Sequence, residues 1–208
     1  MHIYAFGSLC RGDIDINSDI DLLAVVDGHE SRVSPDVFSI YSYRRISDIW
    51  NEGNPFAWHL ARESRLVFTP DESDYLRSLG SPNRYKNCAS DCEKFYGLFQ
   101  QAQRAIETSS DSVVFELSTV FLSIRNIATC FSLGAGVQPD FSRQSAFKLG
   151  PNNAPLSDCV YSLLVRARVL STRGCGTKLT SEEVAFVARE LPQINDWMVR
   201  VVKEAKKQ

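Results

Sequence analysis

The sequence predicts an α+β chain in two parts: a small mixed sheet with a few helices over 1–82, then an all-α helical bundle over 83–208. Three observations carry this. Strand patterns and short helical patterns alternate up to about residue 70. From about residue 84 onward, every long segment has the periodicity of a helix. Pro70, Gly80 and Pro82 punctuate the change. A chain of 208 residues, 44% apolar and 23% charged, has ample material for a buried core.

Residues 3–7 and 20–27 read as the first two strands. Leu22-Leu23-Ala24-Val25-Val26 is a continuous apolar run, the mark of a central strand covered on both faces. Asp27-Gly28 ends it as a turn. After the Ser34-Pro35 breaker, residues 36–43 form a third strand, followed by a short helix over 44–51. Gly53, Asn54 and Pro55 break the chain before an apolar-faced helix over 56–63, and residues 65–69 close the sheet as an edge strand. A short helix follows around 73–79. In the second part the helices run over 87–106, 112–133, 157–173 and 181–206, with a short one at 142–149. Val113, Leu117, Val120, Ile124 and Ala128 trace one apolar stripe. Gly134 and Gly136 stop that helix. Thr180 and Glu183 form a capping box, and Pro192 is expected to kink or divide the last helix.

Charge and composition exclude several functions. A formal net charge of −2 argues against the broad basic surface of a nucleic-acid binder. No run of 18 or more apolar residues occurs, and the chain enters a strand pattern at His2 without a signal-like segment. No membrane association is expected, and the predicted location is cytoplasmic. The six cysteines, including Cys88 and Cys92 four apart, lack disulfide-scaffold or zinc spacing.

The stretch that carries chemistry is the first hairpin. Gly7 and Ser8 follow the first strand, and Ser18-Asp19-Ile20-Asp21-Leu22 opens the second. Side chains on a strand alternate, so Asp19 and Asp21 share a side with Cα atoms about 6.6 Å apart. Two carboxylates so placed suit Mg²⁺, which takes a few carboxylate oxygens and completes its shell with phosphate and water. A glycine-serine turn beside them offers backbone N–H groups and a hydroxyl to a phosphate. Arg11 either adds charge to the phosphates or is a solvated loop arginine. His59, between Trp58 and Leu60, reads as a packing histidine.

Phe6-Gly7-Ser8, the Arg11-Gly12 pair and Ser18-Asp19-Ile20-Asp21-Leu22 together resemble the signature of the polymerase-β-like nucleotidyltransferases, in particular the small bacterial minimal and aminoglycoside enzymes. Ten residues lie between Ser8 and Asp19. The run from Gly53 to Glu63 ahead of a short apolar strand resembles the end of the same domain. The resemblance implies that 1–82 is a nucleotidyltransferase domain and 83–208 a substrate-side helical bundle facing it across a cleft. It implies Mg²⁺-dependent transfer of an NMP from an NTP, ATP first, to a hydroxyl on a small molecule or a protein. Asp19 and Asp21 would be the metal ligands, and Gly7, Ser8, Arg11 and Ser18 would bind nucleotide. Relatives carry a third acidic residue on the following strand. Asp36 is the candidate, or else a strand-opening turn residue after Pro35. Without that carboxylate the chain would be a weak enzyme or a nucleotide-binding regulatory protein; antitoxin-type nucleotidylation of a protein partner is the other alternative. A paired-ribonuclease reading of the helical half fails, because Arg125 is followed by no histidine.

Overall fold

The structure, a computed structural model, spans the 208 residues and describes all of them except 14–19, 29, 31, 109, 110 and 137. Ser18 and Asp19 therefore lie outside the described residues. The chain divides into two compact units, Met1–Lys86 and Asn87–Gln208. The first holds a small mixed sheet and the second only helices, the α+β class expected.

In the first unit, β1 (His2–Phe6), β2 (Asp21–Val26), β3 (Phe38–Ser42) and β4 (Ser64–Phe68) stand in the order β3-β2-β1-β4. β1 is antiparallel to both β2 and β4, and β2 is parallel to β3. Between the strands lie the one-turn α1 (Ser8–Arg11), then α2 (Tyr43–Glu52), α3 (Pro55–Glu63) and, after β4, α4 (Tyr75–Ser78). Tyr4, Phe6, Leu23 and Val25 line one sheet face and pack on Ile46, Ile49 and Trp50 of α2, Ala57 and Leu60 of α3, and Leu76 of α4. The opposite face presents Ala24 and Val26 to Val33, Met1 and Phe38.

Local chemistry sets the helix ends. The Arg45 N–H donates to Ser42 Oγ at the start of α2, and Gly53, at φ 66°, ends it. Asn54 caps α3 by accepting from the Phe56 N–H, with Pro55 in the first turn where no N–H is needed. Tyr4 ties β1 to α4: its hydroxyl donates to Asp74 Oδ1 at 3.0 Å and accepts from the Leu76 N–H at 3.0 Å. Burial pushes that phenol well above its ordinary pKa. Asn83 explains why the unit runs past residue 82. Its N–H donates to Trp50 O, its side-chain amide donates to Asn51 O, and its carbonyl accepts from Trp58 Nε1.

The second unit is built on α5 (Cys88–Glu107), α6 (Val113–Gly134), α7 (Asp158–Arg173) and α8 (Ser181–Ala205). α6 is central and packs against the other three. It is the one described helix with the length and apolarity to cross a membrane, and its apolar surface is the core of this unit. Thr180 and Glu183 make the capping box at α8. Pro192 does not divide α8, which runs unbroken from Ser181 to Ala205. Burial of Leu191, Ile194, Trp197 and Met198 on both sides of the proline outweighs the lost backbone hydrogen bond. Arg125 is a structural arginine, with Nη2 donating to Phe141 O at 2.8 Å.

Two glycines of this unit respond oppositely to the same substitution. A Cβ on Gly134 would collide with Cys88 Sγ and lie 2.5 Å from Cys88 Cβ, where α6 ends against the start of α5. A Cβ on Gly97, inside α5, would meet nothing within 4 Å. In urea denaturation, Gly134→Ala is expected to lose about 1–3 kcal/mol by overpacking. Gly97→Ala is expected to gain about 0.5–1 kcal/mol from helix propensity. Shifts of the same sign in both variants contradict this packing.

Candidate functional site

The site is built where β1 stops. Pairing β1 with β2 sets Phe6 opposite Asp21, so the end of one strand and the head of the other lie side by side. Gly7 follows Phe6 and turns the chain sharply, at φ 76° and ψ −140°. Only glycine takes that φ without strain. A second constraint acts at the same atom: a Cβ on Gly7 would stand 2.6 Å from Asp21 Oδ2. The space that a side chain would occupy is filled by a carboxylate.

Ser8 opens α1, and Gly12, at φ 79°, ends it. The Cys10 and Arg11 N–H groups donate to Gly7 O at 3.1 and 3.2 Å, and the Asp13 N–H donates to Ser8 O. Cys10 Sγ donates back to Ala5 O, and burial pushes its thiol pKa up. The turn from Gly7 to Gly12 is thus a compact hydrogen-bonded unit at the end of the central strand β1. Asp21 is exposed at its side, and the alternation of β2 puts it on the same face as the buried Leu23 and Val25.

Arg11 leaves this turn sideways. Its Nε donates to Asp13 Oδ2 at 3.0 Å and its Nη1 donates to Glu63 Oε2, at the end of α3. Burial opposes the charge on the guanidinium, but the hydrogen bonds and charges of Glu63 and Asp13 outweigh it and raise the pKa. The same Glu63 oxygen lies 2.9 Å from His59 Nε2. Neither Glu63 nor His59 stood out in the sequence as chemistry. The signal that existed was the Gly53 to Glu63 run, legible as a domain end but not as a partner of Arg11.

Asp36 lies in the turn ahead of β3, exposed, with its N–H donating to Ser34 Oγ at 3.2 Å. The strand begins two residues later, at Phe38. The parallel register pairs Leu23 with Ser39, which puts a hydroxyl on the Asp21 face of β3. That position is visible only once the pairing is known.

The oxygen donors at this site, the Asp21 carboxylate and the Ser8 hydroxyl, are of the kind a hard divalent cation takes. Their neighbour is a glycine turn that leaves no side chain between the carboxylate and the backbone. Their donor chemistry is of the kind Mg²⁺ takes, with Asp21 as the carboxylate set against Gly7. Among the described residues no group of three or more His, Cys, Asp or Glu side chains is arranged to hold a metal, and Asp19 is not one of those residues.

Comparison with protein families gives a match over residues 2–80 to the family described as the nucleotidyltransferase domain. The matched stretch contains the whole sheet and the turn at Gly7, and none of the helical unit. Searches of curated proteins and of solved structures found no match.

Gly7→Ala tests the close approach without reference to any ligand. The added methyl must displace the Asp21 carboxylate or the turn, at a φ that alanine disfavours. The expected loss is about 1–3 kcal/mol by chemical denaturation. Gly28→Ala, also at positive φ but with nothing within 4 Å, isolates the backbone contribution and is expected to cost less. Equal losses in the two variants contradict the proposed contact.

Proposed function

We propose, from the premise that residues 2–80 form a nucleotidyltransferase domain, that this chain transfers an NMP from an NTP, with ATP as the donor, to a hydroxyl acceptor. The observation that carries this reading is the placement of the Asp21 carboxylate against the backbone of Gly7. It supports the reading because a carboxylate lies beside a glycine-serine turn of the kind that suits phosphate.

In this reading Gly7 and Ser8 cradle the outer phosphates, Ser18 also binds nucleotide, and Arg11 adds positive charge at the turn's far end. Asp19 and Asp21 are the ligands for Mg²⁺, and Asp36 is the proposed third carboxylate. Mg²⁺, when bound, neutralises phosphate charge and favours the deprotonated acceptor oxygen. The acceptor oxygen forms a bond to the α-phosphorus as the bond to the bridging oxygen breaks. Pyrophosphate leaves with that electron pair, and the hydroxyl proton passes to solvent. Catalysis in such a transfer rests on alignment and charge neutralisation. We assign the acceptor side to the helical unit and the location to the cytoplasm. The acceptor is a small molecule or a protein partner.

A second reading, a nucleotide-binding protein without turnover, is favoured by one observation. The β3 positions that share a face with Asp21 are Ser39 and Tyr41, neither of them a carboxylate.

Purified protein with Mg²⁺ and ATP is expected to release pyrophosphate in the presence of an acceptor. EDTA should abolish release, and Asp21→Asn should lower it at least about 100-fold, equivalent to about 2.7 kcal/mol. Tight ATP binding by titration calorimetry, with no pyrophosphate release across a broad acceptor panel, favours the second reading. Absence of both binding and release overturns both.

A further inference from the structure

The carboxylate of Glu63 joins the two halves of the candidate site from behind. Glu63 is the last residue of α3, and the next residue, Ser64, is the β4 partner of Phe6. It therefore sits beside the junction of β1 with the Gly7 turn. Its Oε2 takes the Arg11 guanidinium from the far end of that turn and lies 2.9 Å from His59 Nε2. His59 in turn stands edge-on to the Phe6 ring, with centroids 5.6 Å apart and planes at 80°. Phe6 is the cross-strand partner of Asp21. One oxygen thus holds the turn through Arg11 and lies against the His59 ring that packs on Phe6 at the strand end.

The burial of these groups makes the link stiff. The Arg11, Glu63 and His59 side chains are 18%, 13% and 13% exposed, whereas the other partner of Arg11, Asp13, is 58% exposed. A partly buried ion pair is screened little by water, and loss of one partner leaves an uncompensated charge. Arg11 without Glu63 would be drawn toward Asp13 and solvent, and the Gly7 to Gly12 turn with it.

We infer that Glu63 is a positioning residue for nucleotide binding, holding Arg11 so that the Gly7-Ser8 turn stays registered on Asp21. This rests on the nucleotidyltransferase reading above. It gives Arg11 a strut's role on its Glu63 side, in addition to any charge it presents to phosphate. Glu63 itself touches no substrate in this account.

The test is titration calorimetry of Mg²⁺ with a non-hydrolysable ATP analogue into wild type, Glu63→Gln, Arg11→Gln and the double variant. Amide NMR shifts of Gly7, Ser8 and Gly12 are followed in parallel. Glu63→Gln is expected to weaken binding about 10-fold, the size usual for loss of an outer partner that orients a ligand-binding group. The Gly7 and Ser8 amides should shift while the remaining spectrum stays folded. The double variant should bind no more weakly than the poorer single variant, because both substitutions break the same link. A charge swap, Arg11→Glu with Glu63→Arg, should recover binding relative to either half alone. Unchanged binding in Glu63→Gln, or strictly additive losses in the double variant, overturns the positioning role while leaving the nucleotidyltransferase reading intact. Failure of wild type to bind the analogue overturns that reading, and the positioning role with it. Should Glu63→Gln not fold, Arg11→Lys takes its place. It keeps the charge but loses the planar fork, and is expected to weaken binding in the same direction. Wild-type affinity in Arg11→Lys would also overturn the role.

Discussion

The arrangement depends on one close approach, that of the Asp21 carboxylate to the backbone of Gly7. A Cβ at that position would lie 2.6 Å from Asp21 Oδ2, and the chain there holds a φ of 76°. The φ selects glycine by backbone sterics, and a side chain there would turn the exposed Asp21 carboxylate away. The turn that follows is short and internally hydrogen-bonded, so it has few ways to relax. The carboxylate therefore meets backbone, where a triphosphate with its cation would also need to lie.

The remainder of the first unit keeps that approach in register. Asp21 is opposite Phe6 because β1 and β2 are antiparallel with that pairing, and Phe6, Tyr4, Leu23 and Val25 are locked into one core with α2, α3 and α4. A slip of one residue would turn Asp21 to the opposite face and put Leu22 and Ala24 where Leu23 and Val25 now pack. Tyr4, buried and hydrogen-bonded to Asp74 and Leu76, opposes sliding from the other end of the sheet. The helical unit has its own core, organised on α6.

Much of this was legible in the residues. The apolar run from Leu22 to Val26 announced a strand covered on both faces, and burial of Leu23, Ala24, Val25 and Val26 bears this out. The cap at Thr180 and Glu183 and the stripe on α6 depend on neighbours within a turn or two, which is why local pattern found them. Gly7 and Asp21 came from a motif whose spacing encodes their meeting. Features that depend on distant parts of the chain were not legible. The Arg11–Glu63 pair spans 52 residues. The facing of Ser39 toward the Asp21 side needs the parallel pairing of β2 with β3. The continuity of α8 through Pro192 depends on apolar burial along that helix, and the hold of Asn83 on α2 on backbone partners some thirty residues away.

The central claim is that Asp21 and the Gly7-Ser8 turn hold a metal–nucleotide together. A crystal structure with Mg²⁺ and a non-hydrolysable ATP analogue tests it most directly. The account predicts the outer phosphates against the Gly7 and Ser8 backbone, with an Asp21 oxygen about 2.0–2.1 Å from the cation. A nucleotide bound elsewhere on the chain, or a cation whose shell excludes Asp21, would contradict it.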